Sequence, residues 1–266
     1  MVLLSFFRSV LLSALLFLPL ASVADTPLKR LTLRHDMLGW EAVGRLDRSG
    51  RGFCSGALIA PDLVLTAAHC LIDGKSGARI DPAGVTFRAG LRDGKAIAER
   101  AGRRAVVHPG YDSQDRDGLR NLLTDIALLE LSEPIPAGHA APFATSSLSG
   151  KGRQVTVVSY ARGRMEALGW QRACRTTLKA QGVLGFSCDT DFGSSGAPVF
   201  EHSSGRPRIV SIVSRGSGAE VFGMEIERPL AEVKRALRSG RGVWQVGEGA
   251  GGTPATGSGG ITFIRP

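Results

Sequence analysis

An all-β fold closed by a single helix is predicted by three features of the 266-residue chain. Short runs rich in β-branched and apolar residues recur along it, each ended by glycine, proline or another turn former. These runs fall into two sets, one before and one after about residue 140. Clear helical spacing of apolar residues is confined to 229–238. A chain of this length accommodates one large β domain or two packed barrels, and its 35 glycines supply the turns that either requires.

In chain order, residues 1–24 combine Arg8, an apolar run over 10–20 and the small residues Ala21, Ser22, Val23 and Ala24 before Asp25. That is the pattern of a secretory signal peptide cleaved after Ala24, too short for a membrane span. No later segment is long and apolar enough to cross a membrane, so the mature protein is expected to be secreted or periplasmic. The first strand set is predicted at 40–46, 53–59, 63–66, 85–89, 104–107 and 126–131, within a unit at about 38–140. The second, within about 141–228, is predicted at 154–160, 172–179, 183–187, 197–200, 209–214 and 220–226. Helix 229–238 has Pro229 at its first position, apolar residues three and four apart and basic residues near its end. Residues 239–266 are dominated by glycine and serine and are expected to form a flexible tail, with I-T-F-I-R-P at 261–266 as a possible edge strand.

The chemistry concentrates in C-D-T-D-F-G-S-S-G-A-P-V-F, which begins at Cys188. Ser195, with Gly193 two residues before it and Gly196 directly after it, sits where the backbone can take a tight turn that side chains would block. Such a turn exposes the hydroxyl and leaves the N–H groups of Gly193 and Ser195 able to converge as an oxyanion hole. The plain alternative is a glycine-rich hairpin with an incidental serine. A serine hydroxyl is a poor nucleophile at neutral pH, so the chemistry needs a histidine to take its proton and a buried carboxylate to orient that histidine. His69 in L-T-A-A-H-C-L and Asp125 in T-D-I-A-L-L-E-L supply both. Asp125 as a mere helix cap would leave the coincidence of the three motifs unexplained. His69 beside Cys70 is a weak metal signal, because adjacent residues rarely face one ion and Cys54 is too far away for a C-x-x-C pair. No metal and no cofactor are expected.

T-A-A-H-C, D-I-A-L-L and G-S-S-G-A-P, in the order His, Asp, Ser, resemble the chymotrypsin and trypsin family of serine proteases over roughly residues 38 to 238. The S-S-G-A-P version resembles bacterial trypsin-like and glutamyl-endopeptidase-like members. The resemblance implies two packed six-stranded antiparallel β-barrels with a C-terminal helix, and a cleft between them. It also implies an acyl-enzyme mechanism with His69 as general base, Asp125 as its orienting partner, Ser195 as nucleophile and the Gly193 and Ser195 amides as oxyanion donors. His108-Pro109-Gly110-Tyr111 resembles the family's H-P-x-Y loop.

Four cysteines in an exported chain read as two disulfides, with three pairings open. Proximity in sequence and the family pattern both favour Cys54 with Cys70 and Cys174 with Cys188. Each would close a loop worth roughly 3 kcal/mol in chain entropy. Animal members carry a further cysteine where this chain has Asp191, a departure that looks bacterial. Those members also place an aspartate before the nucleophile, to pair with a newly cut N-terminus. Ser194 stands there instead, so no activation of that kind is expected.

The resemblance assigns substrate contacts to Asp189, Thr190, Ser214, Arg215 and Gly216. Ser214-Arg215-Gly216 resembles a segment whose backbone pairs with the substrate as an added strand. Asp189 falls where the trypsin branch has a carboxylate at the base of its primary pocket, which implies cleavage after basic residues. Asp189-Thr190 also resembles a pair in the glutamate-specific branch, but Val213 replaces that branch's histidine. A glutamate buried against Asp189 would meet repulsion, so basic residues are expected first and glutamate last.

The formal charge of +9 favours contact with anionic surfaces or acidic substrates. Groups such as Arg100 to Arg104 and Arg162 to Arg164 read as solvated surface, and no aromatic-basic alternation marks a specific nucleic-acid groove. The expected protein is a monomeric serine endopeptidase acting on polypeptides. Its rival is a catalytically silent binding protein on a protease scaffold that holds anionic envelope components.

Overall fold

In the computed structural model, residues 25–115, 118–202, 205–217 and 220–249 are described. The expected signal peptide and the 261–266 strand lie outside them. The first half supplies β1 (Lys29–Arg30), β2 (Val43–Arg48), β3 (Phe53–Ala60), β4 (Leu63–Thr66), β5 (Val85–Ala89), β6 (Ala98–Val107), α1 (Leu119–Thr124) and β7 (Ala127–Leu131). The second supplies β8 (Gln154–Ala161), β9 (Arg164–Ala180), β10 (Val183–Phe186), β11 (Pro198–Glu201), β12 (Arg208–Ile212), β13 (Arg215–Ser217), β14 (Glu220–Met224), α2 (Glu227–Ser239) and β15 (Trp244–Gln245).

The first sheet runs β15-β6-β5-β2-β3-β4-β7, and β6 also pairs with β7, which closes a six-stranded antiparallel barrel. Closure demands close approach across the interior, and Gly44 shows why: a Cβ there would overlap the Phe87 ring. Alternation along β5 sends Val85, Phe87 and Ala89 inward. The second sheet runs β12-β11-β8-β9-β10-β14-β13, with β1 added to β9. It curls into a half-barrel without a closing strand pair. Its ends are drawn together where Ser214 N donates to Phe222 O at 3.0 Å and Ser211 Oγ to Met224 O at 2.7 Å. The expected pair of six-stranded barrels is thus met by one closed barrel and one open one.

One apolar core fills the first barrel and extends to the buried face of α2 through Leu230, Val233, Ala236 and Leu237. A smaller one lies between the strands of the second sheet, around Val155, Phe186, Val199 and Val221. Trp40, Phe143 and Phe200 stack across the join, with Trp40 and Phe200 edge to face at 5.0 Å.

Helix α2 starts at Glu227, two residues before the predicted Pro229. The proline still lies in the first turn, where its missing N–H removes no intrahelical bond. Gly240 at φ 74° ends the helix in a left-handed cap. The predicted flexible tail from 239 onward is corrected for 239–249: β15 returns to pair with β6, placing Trp244 opposite Ala105. Trp244 is buried, and its Nε1 donates to Ile80 O at 2.8 Å. Burying one indole outweighs the glycine-rich flanks that suggested a tail. Helix α1 was also not predicted. It carries no side-chain cap, and Asn121 ties it to the 112 backbone by accepting from Asp112 N and donating to Asp112 O, both at 2.8 Å.

Candidate active site

Ser195 lies on the turn between β10 and β11, with Gly193 at φ 100° and Gly196 at φ 76°. Both glycines are required by space as well as by φ. A Cβ on Gly193 would overlap the Phe53 ring, and one on Gly196 would overlap Thr66 Oγ1 and the Ser55 carbonyl. The turn is stitched to β3: Ser55 N donates to Ser195 O at 2.8 Å and Ser55 Oγ to Gly193 O at 2.9 Å. Neither the Gly193 nor the Ser195 N–H donates to an acceptor among the described residues. That leaves two backbone donors at the edge of the Ser195 turn.

His69 sits in a single 3-10 turn, Ala68–Cys70, directly after β4. The Cys54–Cys70 disulfide ties this turn to β3, and Cys174–Cys188 ties β9 to the segment leading into the serine loop, as the favoured pairing had it. Asp125, at the end of α1, is 4% exposed. Its Oδ1 accepts from His69 N at 3.0 Å, and its Oδ2 accepts from Ser214 Oγ at 2.6 Å and lies 2.8 Å from His69 Nδ1. Burial pushes the Asp125 carboxyl upward, but the His69 charge and the hydrogen bonds from His69 and Ser214 outweigh it and hold it below the ordinary carboxylate value. An ionised carboxylate can only accept, so Nδ1 carries a proton, and in the neutral imidazole Nε2 is then the nitrogen with the lone pair. No hydrogen bond joins Nε2 to Ser195 Oγ among the described residues.

Ser194, 1% exposed, donates from Oγ to Ser159 Oγ at 3.2 Å. Ser159 in turn accepts from Arg164, with Nη2 on its Oγ at 3.0 Å and Nη1 on its carbonyl. Arg164 is 8% exposed, which corrects its reading as surface charge. Burial pushes its pKa down to about 10 while Asp189 and Asp191 oppose the shift, so it stays cationic at neutral pH. A buried guanidinium therefore stands behind the serine turn, one hydroxyl away from Ser194. Nothing in R-G-R at 162–164 distinguishes a buried arginine from a solvated one.

A pocket of about 210 Å³ opens beside Ser195, lined by Thr190, Asp191, Phe192, Ser194, Val213, Ser214, Arg215 and Gly216. Thr190 and Ser214 are buried there, and Arg215 is half-buried. Asp189, expected at the base, is exposed and is not part of this lining. The physical reason is local: the Asp189 N–H is held by Gln171 Oε1 at 2.6 Å, Cys188 is pinned by its disulfide, and alternation then turns Thr190 inward and Asp189 outward. Strand β13 ends its sheet, so one of its edges is unpaired. A larger cleft of about 810 Å³ surrounds His69 and Asp125. Cys54, His69 and Cys70 also bring their donor atoms within 4.8 Å of one another. Both sulfurs are spent in the disulfide and offer no thiolate to an ion.

The chain is 33% identical over 163 residues to a protein named glutamyl endopeptidase from Bacillus licheniformis, covering 59% of this chain and 48% of that one. It is 31% identical over 205 residues to a trypsin-like protease of Streptomyces glaucescens, covering 64% and 68%. The chain thus spans about half the length of the first relative, and 16% and 20% of the human serine protease 56 and the Drosophila melanogaster modular serine protease that it also matches. A solved structure of a Glu endopeptidase superposes with a TM-score of 0.66 at 17% identity, over 82% of this chain and 97% of that one, a likeness of fold. The trypsin-like peptidase domain matches residues 54–208, more than half of the chain, and the protein belongs to that family.

Proposed function

We propose that the protein is a serine endopeptidase acting through Ser195, His69 and Asp125. The observation that carries this reading is the bonded series Ser214–Asp125–His69, which orients the imidazole in a cleft that shares Ser214 and Arg215 with the pocket lined by Ser195. Ser195 Oγ attacks the scissile carbonyl as its proton passes to His69 Nε2. The Gly193 and Ser195 amides receive the developing oxyanion. The tetrahedral intermediate collapses by breaking the C–N bond, and His69 returns the proton to the leaving amine. Water then repeats the sequence on the acyl-enzyme and regenerates Ser195. A fluorophosphonate probe tests the reading: Ser195 is labelled in disulfide-intact protein, and Ser195→Ala is not. Absence of labelling in the folded wild type would favour the rival, a silent binding protein.

The reading extends to substrate choice. With Asp189 outside the pocket, a basic preference loses its carboxylate, and the repulsion that ranked glutamate last is gone. Arg215 and the Thr190 hydroxyl line the pocket, a set suited to a carboxylate. Asp191 also lines the pocket, with its Oδ1 accepting from Phe192 N at 2.6 Å, and its charge is opposed by that of the Arg164 cation. The name of the Bacillus relative supports the same direction. Cleavage after acidic residues is therefore the proposed specificity. Two disulfides and the predicted leader support export to an oxidising compartment, extracellular or periplasmic.

A further inference from the structure

Beyond His69 the cleft continues as a trough walled by the β2–β3 hairpin, residues 48–51, and by the loop that follows Ile72, residues 73–75. We propose that Arg48 and Lys75, seconded by Arg51, form a subsite for an acidic side chain on the leaving-group side of the scissile bond. The inference rests on the peptidase reading and adds to it a substrate feature that the pocket beside Ser195 does not determine.

The charges on this wall are unevenly spent. Asp73 is committed within its own loop, its Oδ1 accepting from Lys75 N, Ser76 N and Ser76 Oγ at 2.9–3.0 Å, and its Oδ2 accepts from Arg51 Nε at 2.8 Å. Asp73 and Arg51 therefore largely cancel. Arg48 has no carboxylate partner within salt-bridge reach among the described residues. Its Nη2 donates to Arg51 O at 2.7 Å, and its Nε is buried with no acceptor. Burial pushes its pKa down, Asp73 opposes this and Arg51 adds to it, as expected of a guanidinium that is only partly compensated. Lys75 is exposed and makes no ion pair among the described residues. A guanidinium that its own surroundings only partly compensate is stabilised by a carboxylate brought into the cleft it lines.

The geometry assigns the wall to the leaving half of the substrate. The acyl half pairs with the free edge of β13, and His69 must face the departing nitrogen. The chain after the cleaved bond then leaves past the Cys54–Cys70 disulfide and Phe53, which packs against Gly193, toward Arg48 and Lys75.

Acyl transfer separates this claim from the one beneath it. A peptide p-nitrophenyl ester with a fixed acyl half forms the acyl-enzyme, read as a burst of nitrophenol. Dipeptide amides carrying Glu, Gln or Lys then compete with water for it. Glu nucleophiles are expected to be captured several-fold to about tenfold better than their Gln counterparts, and Lys worse than Gln. The Glu-to-Gln ratio should shrink with salt and fall to within about twofold in Arg48→Gln/Lys75→Gln. Lys75→Glu, at an exposed position that keeps the fold, should invert the Glu-to-Lys order. Equal capture of Glu, Gln and Lys by an acyl-enzyme that does form overturns the subsite alone. No acyl-enzyme at all overturns the peptidase reading and the subsite with it.

Discussion

Ser214 Oγ donates to Asp125 Oδ2 at 2.6 Å, so one buried hydrogen bond joins the lead-in to β13 to the carboxylate bonded to His69 Nδ1. The bond also crosses from the second sheet to the first. Removing it in Ser214→Ala strips one charge-assisted donor from a buried carboxylate, a loss of about 1.5–3 kcal/mol, or roughly tenfold to a hundredfold in kcat/KM. Steady-state kinetics on one peptide substrate decides it; an unchanged kcat/KM means that the backbone and His69 position Asp125 without help.

Asp125 also links stability to acid. Its folded-state pKa lies below the ordinary value, so its contribution is present above that value and is lost as pH falls through the lower, folded one. Denaturant unfolding between neutral pH and about pH 2.5 should show a steeper acid loss in wild type than in Asp125→Asn, with the difference confined below about pH 4. Parallel curves would show that the carboxylate gains nothing on folding.

The pocket lining separates two residues close in sequence from the serine. Asp189→Ser should leave the ranking of peptides by the residue before the cleaved bond within about twofold, because the side chain is exposed. Arg215→Gln should lower turnover of glutamate peptides about tenfold relative to alanine peptides, the usual scale for one charge-assisted contact. A basic preference that depends on Asp189 would restore the trypsin-like assignment.

Gly196 has no room for a side chain. Gly196→Ala forces a positive φ on alanine and drives its methyl into Thr66 and Ser55, so the serine turn must move off β3. We expect a loss of about 1–3 kcal/mol from φ alone and more from the overlap, with probe labelling of Ser195 falling in parallel. Wild-type stability and labelling would mean that the turn is looser than its packing indicates.

Trp244→Ala removes a fully buried indole and its bond to Ile80, at an expected cost of about 3–5 kcal/mol in urea unfolding. A change under 1 kcal/mol would return residues 239–249 to the status of a tail.

Much of this was legible before any coordinates. Strands β3, β4, β5, β8, β10 and β11 lie within a few residues of their predictions because apolar runs and glycine punctuation are local signals. The two disulfides are the pairing that proximity in sequence and the family pattern together favoured among three. What escaped depends on distant partners. Strand β15 exists because Trp244 finds Ile80, and β1 because β9 offers it an edge.

The residue types and chain order of His69, Asp125 and Ser195 were determined by sequence alone, since the chemistry needs those groups and the motifs that carry them are local. Tertiary structure decided which neighbours face the site. Asp189 turned outward and Thr190 inward because a disulfide and Gln171 set the phase of that segment. Arg164 became a buried support behind the serine turn through Ser159, and Arg48 a guanidinium whose Nε lacks an acceptor, because burial depends on how the chain packs. A one-residue change of phase reverses which side chain a pocket sees, and no local pattern of apolar and polar residues records that phase at a polar loop.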